Sequence, residues 1–215
     1  MNLPLRQKPK LRGVSHQLAA MVAVPAVLLL WRGAGTLGSR WGAAVYGVTL
    51  IALFSISALY HRPVWAPRPR EILGRFDHSA IFLLIGGTYT PLGLVLGGEQ
   101  GTAMLSVVWL GAAAGVGLSL LWPKVPKPLV AGLCVLLGWT AVPVVPPLFA
   151  ALGLAPLLLI VAGGVLYTIG AAIYVLKRPD PLPSVFGYHE IFHLLVIVAA
   201  AAHFAAIAMA LPAIG

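Results

Sequence analysis

Two histidines one helical turn apart have the clearest potential for chemistry in this chain. They open the last long apolar segment, which begins Tyr188-His189-Glu190-Ile191-Phe192-His193. Side chains four residues apart lie on one helix face, so both rings can bind a single ion. An imidazole is also unfavourable in hydrocarbon without a polar partner. The spacing and the surroundings therefore predict that His189 and His193 are a pair of metal ligands.

The composition defines the class of protein in which these histidines lie. Of the 215 residues, 60% are hydrophobic and 9% are charged, whereas a soluble domain has roughly 25% charged residues. The mean hydropathy is +0.97. The net charge of +9 comes from short basic runs between apolar stretches, which membrane topology explains better than nucleic-acid binding. We therefore expect a multi-pass membrane protein that has lipids, and no nucleic acid, as its surroundings and partners.

Seven apolar stretches are long enough to cross a hydrocarbon core of about 30 Å. They run over Ser15–Leu30, Ala43–Tyr60, Ile81–Leu96, Thr102–Trp122, Leu129–Phe149, Leu152–Leu176 and Tyr188–Leu211. The fifth stretch contains Pro143, Pro146 and Pro147, and we expect it to end early or kink there. Gly-rich and Ala-rich stretches, such as 111–115 and 163–164, favour close helix packing. The pattern predicts an all-α, seven-transmembrane-helix bundle over residues 15–215, preceded by a basic cytoplasmic segment over residues 1–14.

The distribution of basic residues predicts the orientation of this bundle. Twelve of the 14 Lys and Arg residues lie before the first span or in the connections that follow the second, fourth and sixth spans. With an odd number of spans, these segments share one side of the membrane, and the other side has only Arg32 and Arg40. Basic segments stay in the cytoplasm. We therefore expect the N-terminus inside, the C-terminus outside, and the protein in the inner or plasma membrane.

This topology brings separate polar residues to one depth. His61 ends the second span and Asp77 starts the third, both on the cytoplasmic side, where His189 and His193 begin the seventh. Ser57 precedes His61 by four residues and shares its helix face. Simpler interpretations exist for single residues, since His61 could be an interfacial anchor and Asp77 could favour the positive end of a helix dipole. Together they predict one intramembrane site.

The chemistry expected of that site is that of catalytic zinc. Three neutral imidazoles with one open position are a typical ligand set for it, here His61, His189 and His193. The absence of a thiolate ligand argues against a structural zinc site or an iron–sulfur cluster. Zinc lowers the pKa of a bound water to about 7. Asp77 would orient that water and accept its proton, and Ser57 would donate a hydrogen bond to the water or to a developing oxyanion.

Four other ionisable residues are not expected to bind the metal. His16 could support the site but has no partner evident in the sequence. His78 points elsewhere on its helix from Asp77 and could act only indirectly. His203 lies nearly three turns beyond the histidine pair and is expected to pack inside the bundle. Glu190 projects away from the ligand face.

Several motifs resemble those of the bacterial hemolysin III family, which is related to the progestin and adiponectin receptors and, more distantly, to the alkaline ceramidases. They are Ser57-Ala58-Leu59-Tyr60-His61, the stretch 76–85 that begins with Phe76-Asp77-His78, Gly87-Thr88-Tyr89-Thr90-Pro91, and His189-Glu190-Ile191-Phe192-His193. The resemblance implies seven helices, a cytoplasmic N-terminus and zinc on the cytoplasmic side. By motif, His61, His189 and His193 match the zinc histidines, Asp77 the water-holding aspartate and Ser57 the motif serine. The acidic and amide motif that precedes the first helix in the eukaryotic receptors is not obvious here, so an adiponectin-like ligand role is not supported.

Three functions stay open from the sequence. The leading hypothesis is a zinc-dependent hydrolase of amide or ester bonds in membrane lipids. The alternative is a non-enzymatic receptor-like or membrane-homeostasis protein in which zinc has a structural role. A hemolysin-like pore or transporter is the third, although the charged midplane residues expected of an ion path are missing. The sequence does not decide the substrate, whether turnover occurs, or the oligomeric state.

Overall fold

The structure, a computed structural model, describes residues 8–122 and 124–215, and these are almost entirely helical. Arg6, part of the predicted basic segment, lies outside the described residues. The helices are α1 Val14–Gly33, α2 Leu37–His61, α3 Pro67–Leu96, α4 Gly98–Leu121, α5 Lys127–Gly138, α6 Val145–Leu152, α7 Leu154–Leu176 and α8 Tyr188–Ala210. Within the described ranges, seven helical segments are long and apolar enough to span a membrane, α5 and α6 together forming the fifth. The predicted all-α fold with seven membrane-length spans is confirmed.

The third helix begins earlier than the sequence pattern predicted. Hydropathy placed its start at Ile81, but α3 begins at Pro67. Proline suits the first helical position because its missing N–H has no helical partner there. Charged residues occupy the following turns, and Arg75 donates to Glu71 at 2.6 Å. Asp77 therefore lies inside α3, and its predicted position at a helix start is wrong. Hydropathy detected only the apolar part of a longer helix.

The second helix also begins before the predicted boundary at Ala43. It starts at Leu37 and is preceded by Thr36, which caps it. The Thr36 hydroxyl accepts a hydrogen bond from the backbone N–H of Ser39 at 3.1 Å, and the Ser39 hydroxyl accepts one from the N–H of Thr36 at 3.0 Å. This reciprocal pair satisfies two backbone donors that a helix start leaves free. The cap fixes the start of the helix that ends at His61.

The fifth span is interrupted, as its prolines predicted, although the break starts upstream of the first of them. A 3₁₀ segment over Trp139–Val144 separates α5 from α6. The hydroxyl of Tyr89 donates to the carbonyl of Gly138 at 2.7 Å and accepts from the N–H of Ala141 at 2.9 Å. Backbone groups at membrane depth must be paired within the protein. Tyr89 of α3 therefore stabilises the broken helix.

Helix α3 is the most enclosed span of the bundle. In its most apolar stretch 61% of the residues are buried, against 11% for the α5–α6 span. Close approach depends on glycine, as predicted: a Cβ added at Gly115 would collide with the ring of Phe82, and one at Gly163 with His203. Such small residues let helices pack tightly where the hydrophobic effect gives no driving force. Helix α8 packs on α7 and also touches α1 and α3.

Candidate metal centre

The three predicted ligands converge at one end of the bundle. His61 is the last residue of α2, and His189 and His193 lie in the first two turns of α8. One ring nitrogen from each lies within 4.8 Å of the other two. The Nε2 atoms of His61 and His189 are 3.2 Å apart. All three side chains are buried. Two helices that are far apart in sequence therefore present three imidazoles to one point.

This arrangement fits a metal ion. Two nitrogens bound at 2.0–2.1 Å to one tetrahedral centre lie about 3.3 Å apart, close to the separation of His61 and His189. A hydrogen bond between neutral rings would give the same distance, so the third ring is informative. The Nδ1 atom of His193 is buried and has no hydrogen-bond partner among the described residues. Buried polar atoms of this kind call for an ion or a water, and a set of three imidazoles suits zinc.

Asp77 reaches the cluster from a different helix. Its Oδ2 lies 3.5 Å from Nε2 of His61. The Asp77 side chain is 14% exposed, and it borders a cavity. The structure thus places a carboxylate next to the nitrogen that would face a metal.

A cavity begins at this cluster. Its volume is about 150 Å³. Ser57, Asp77, His189 and His193 form part of its wall. Most of the remaining lining is apolar and comes from α3, α5, α7 and α8, including Ile81, Ile85, Val130, Ala131, Ala171 and Val196. Ser57 is buried one turn before His61, as its spacing predicted. The candidate site residues therefore lie in the wall of a mostly apolar cavity.

His16 is closer to the cluster than the sequence indicated. Its ring is stacked on that of His193, with 3.8 Å between centroids and 5° between planes, and it contacts the edge of Phe54. Within residues 8–122 and 124–215, neither ring nitrogen of His16 has a hydrogen-bond partner. The one available signal was its position in the first turn of α1, at the end of the bundle where α8 also starts.

His203 and Glu190 lie outside the ligand group, as expected, whereas His78 forms part of the cavity wall. His203 packs against Tyr167, and its Nε2 lies 3.0 Å from the carbonyl of Ile160, so it is a packed bundle histidine. Glu190 does not join the ligand group. It instead accepts a hydrogen bond from Arg12 at 2.5 Å, a contact that sequence reasoning missed because the residues are 178 positions apart.

Seven membrane-length helices and a buried three-histidine cluster define a multi-pass membrane protein with a candidate metal centre. The chain belongs to the haemolysin-III-related family, whose model matches residues 5–204. It is 32% identical to the Hemolysin-3 homolog of Bacillus subtilis over 195 residues, covering 89% of this chain and 88% of that protein. It is 32% identical to Hemolysin-3 of Bacillus cereus over 190 residues, covering 86% and 83%. Human Monocyte to macrophage differentiation factor is 30% identical over 196 residues, covering 87% and 79%. These findings confirm the family indicated by the motifs.

Proposed function

We propose that the protein binds Zn²⁺ through His61, His189 and His193 and hydrolyses an amide or ester bond of a membrane lipid. The observation that carries this proposal is the buried three-histidine cluster, with a carboxylate 3.5 Å from His61, beside a mostly apolar cavity. Zinc held by three histidines lowers the pKa of a bound water to about 7 and polarises a carbonyl group. Cluster and cavity together favour hydrolysis of a lipid over that of a soluble substrate.

Two residues of the chain supply the remaining chemistry. Asp77 is placed to orient the attacking water and to accept its proton, because its carboxylate faces the metal-binding nitrogens from α3. Ser57, one turn before His61, is placed to donate a hydrogen bond to the oxyanion that forms when a carbonyl is attacked. Both groups are fixed by helices, so little reorganisation is needed during the reaction.

The cavity suits the acyl part of such a lipid. Apolar side chains form most of its wall, and His189, His193 and Asp77 form part of it. A lipid chain would therefore lie along the apolar part and present its polar bond to the histidines.

A panel of lipids tests this function. Wild-type protein in nanodiscs should release acyl chains from at least one class among ceramides, phospholipids and acyl-amides, above the level seen with His61→Ala. Ala171→Trp should then lower release on the order of tenfold or more by filling the cavity and displacing the substrate. Ala172→Trp is the matched control, since Ala172 is exposed and its neighbour Ala171 lines the cavity.

Two outcomes of the panel would change the proposal. If wild type releases nothing above the His61→Ala background, hydrolysis is wrong and a non-enzymatic protein with structural zinc becomes the better account. If Ala171→Trp and Ala172→Trp release acyl chains equally, the cavity is not the substrate site.

We further propose that the metal centre lies on the cytoplasmic side of the cell membrane. Twelve of 14 basic residues belong to segments on the side of the N-terminus, and such segments stay in the cytoplasm. Two reporters fused after Gly215 test this orientation. A reporter that works only outside the cytoplasm should be active, and one that works only in the cytoplasm should be inactive. The opposite pattern would place the site on the outer side.

A further inference from the structure

The segment before α1 is bound to the loop that leads into α8. The backbone N–H of Lys10 donates to the carbonyl of Ser184 at 3.0 Å, and that of Leu11 donates to Val185 at 3.1 Å. These bonds join residues that are more than 170 positions apart in sequence. They place residues 8–13, which we call the N-terminal strap, next to the start of the helix that carries His189 and His193.

The same strap lies against the end of α2. The ammonium group of Lys8 donates to the carbonyl of Arg62 at 2.7 Å. Gly13 has a φ of +78°, and a Cβ added to it would lie 2.8 Å from the Cβ of His61. Any other residue at position 13 would be strained in this backbone region and would press on His61. The strap thus touches both helix ends that present the three imidazoles.

A buried ion pair completes this connection. Nε of Arg12 donates to Oε1 of Glu190 at 2.5 Å, and the two side chains are 20% and 4% exposed. Oε2 of Glu190 accepts the backbone N–H of Gly187 at 2.8 Å, which caps the start of α8. Glu190 lies between His189 and His193 along the helix. Its carboxylate therefore restrains the first turn of α8, from which His189 projects.

We propose that Arg12 and Glu190 are positioning residues of the metal centre, and that the N-terminal strap holds the α8 histidines in register with His61. This inference rests on the proposed metal binding. A buried ion pair contributes little net stability by itself, because the loss of hydration offsets the attraction. Groups that orient metal ligands, by contrast, change metal affinity 10–100-fold when they are altered. The strap is then part of the site.

The affinity for cobalt, a spectroscopic substitute for zinc, tests this proposal in the full-length protein. Arg12→Met should raise the Kd for Co²⁺ by about 10–100-fold, because Glu190 loses its partner and the first turn of α8 is less restrained. Arg75→Met is the matched control. It also breaks an arginine–glutamate ion pair, that of Arg75 and Glu71 at 2.6 Å, but the Glu71 side chain is 52% exposed. It should change the Kd by no more than about twofold.

A double variant separates positioning from stability. In Arg12→Met/Glu190→Gln, both charges are removed and the amide oxygen at position 190 can still accept the backbone N–H of Gly187, so no buried charge is left unpaired. We expect the thermal unfolding temperature of the double variant to be close to wild type while the Kd for Co²⁺ stays raised. If the double variant recovers both stability and affinity, the pair is only structural and the proposal is wrong.

Hydrogen exchange of the metal-free protein gives a readout that does not depend on metal. Amides of residues 188–193 should exchange faster in Arg12→Met than in Arg75→Met, since the strap restrains that turn. Equal exchange in Arg12→Met and Arg75→Met would overturn the inference. This comparison decides the matter even if the double variant unfolds at a lower temperature than wild type. If wild type binds no Co²⁺ while the exchange difference is present, metal binding fails but the restraint by the strap stands.

Discussion

Asp77→Asn should lower lipid hydrolysis by roughly 10²–10⁴-fold, the usual scale for the loss of a general base, while zinc stays bound. In the proposed site the three imidazoles form the ligand set without the carboxylate, so zinc binding is not expected to depend on Asp77. An amide has nearly the same size and can still occupy the position 3.5 Å from His61. It cannot accept the proton of the attacking water. The variant therefore separates catalysis from metal binding.

The measurement is the initial rate of acyl-chain release in nanodiscs, with zinc content determined on the same samples. Glu71→Gln is the matched control, because it makes the same change of acid to amide on α3 at an exposed position. Its rate should equal that of wild type. A wild-type rate in Asp77→Asn would remove Asp77 from the mechanism, and loss of zinc in that variant would show that Asp77 binds the metal.

Replacing one ligand should have the largest effect on metal affinity. His189→Ala or His193→Ala leaves two imidazoles, which are a weak chelate for zinc. We expect the zinc Kd to rise by more than the roughly 100-fold that loss of an outer orienting group produces, and lipid hydrolysis to fall to the level of His61→Ala. Competition with a chromophoric chelator measures the affinity.

His203→Ala controls for the loss of any buried histidine from α8. That ring contacts Tyr167 and the carbonyl of Ile160, away from the cluster. Its zinc affinity should match that of wild type. If His203→Ala weakens zinc binding as much as His193→Ala does, general damage to α8 explains both results, and the assignment of His193 as a ligand fails.

The convergence of the cluster could be predicted because it follows from topology. Four spans, the third to the sixth, separate the end of the second from the start of the seventh, and an even number of crossings returns the chain to the same side. His61 is therefore expected near the depth of His189. The spacing of His189 and His193 then fixes their common face. Neither step needs the packing of individual side chains, and the structure brings these rings together.

Other features of the fold and the site could not be predicted, because hydropathy along the chain gives no information on packing between distant segments. The start of α3 at Pro67 was missed because the first turns of this helix are charged and lack the hydropathy of a membrane span. The bond from Arg12 to Glu190 joins residues 178 positions apart, and the stacking of His16 on His193 joins α1 to α8. One signal was available: Glu190 is a lone acid in an apolar segment, and a buried acid needs a cationic partner. The basic residues before α1 were candidates.

Metal content of the purified protein tests the central claim most directly. Wild-type protein is prepared without added metal, equilibrated with zinc and freed of the excess. Elemental analysis of the equilibrated protein should then give about one zinc per chain. The double variant His189→Ala/His193→Ala, treated in the same way, should contain almost none. Full zinc occupancy in the double variant, or no zinc in equilibrated wild type, would contradict the assignment of a three-histidine metal centre.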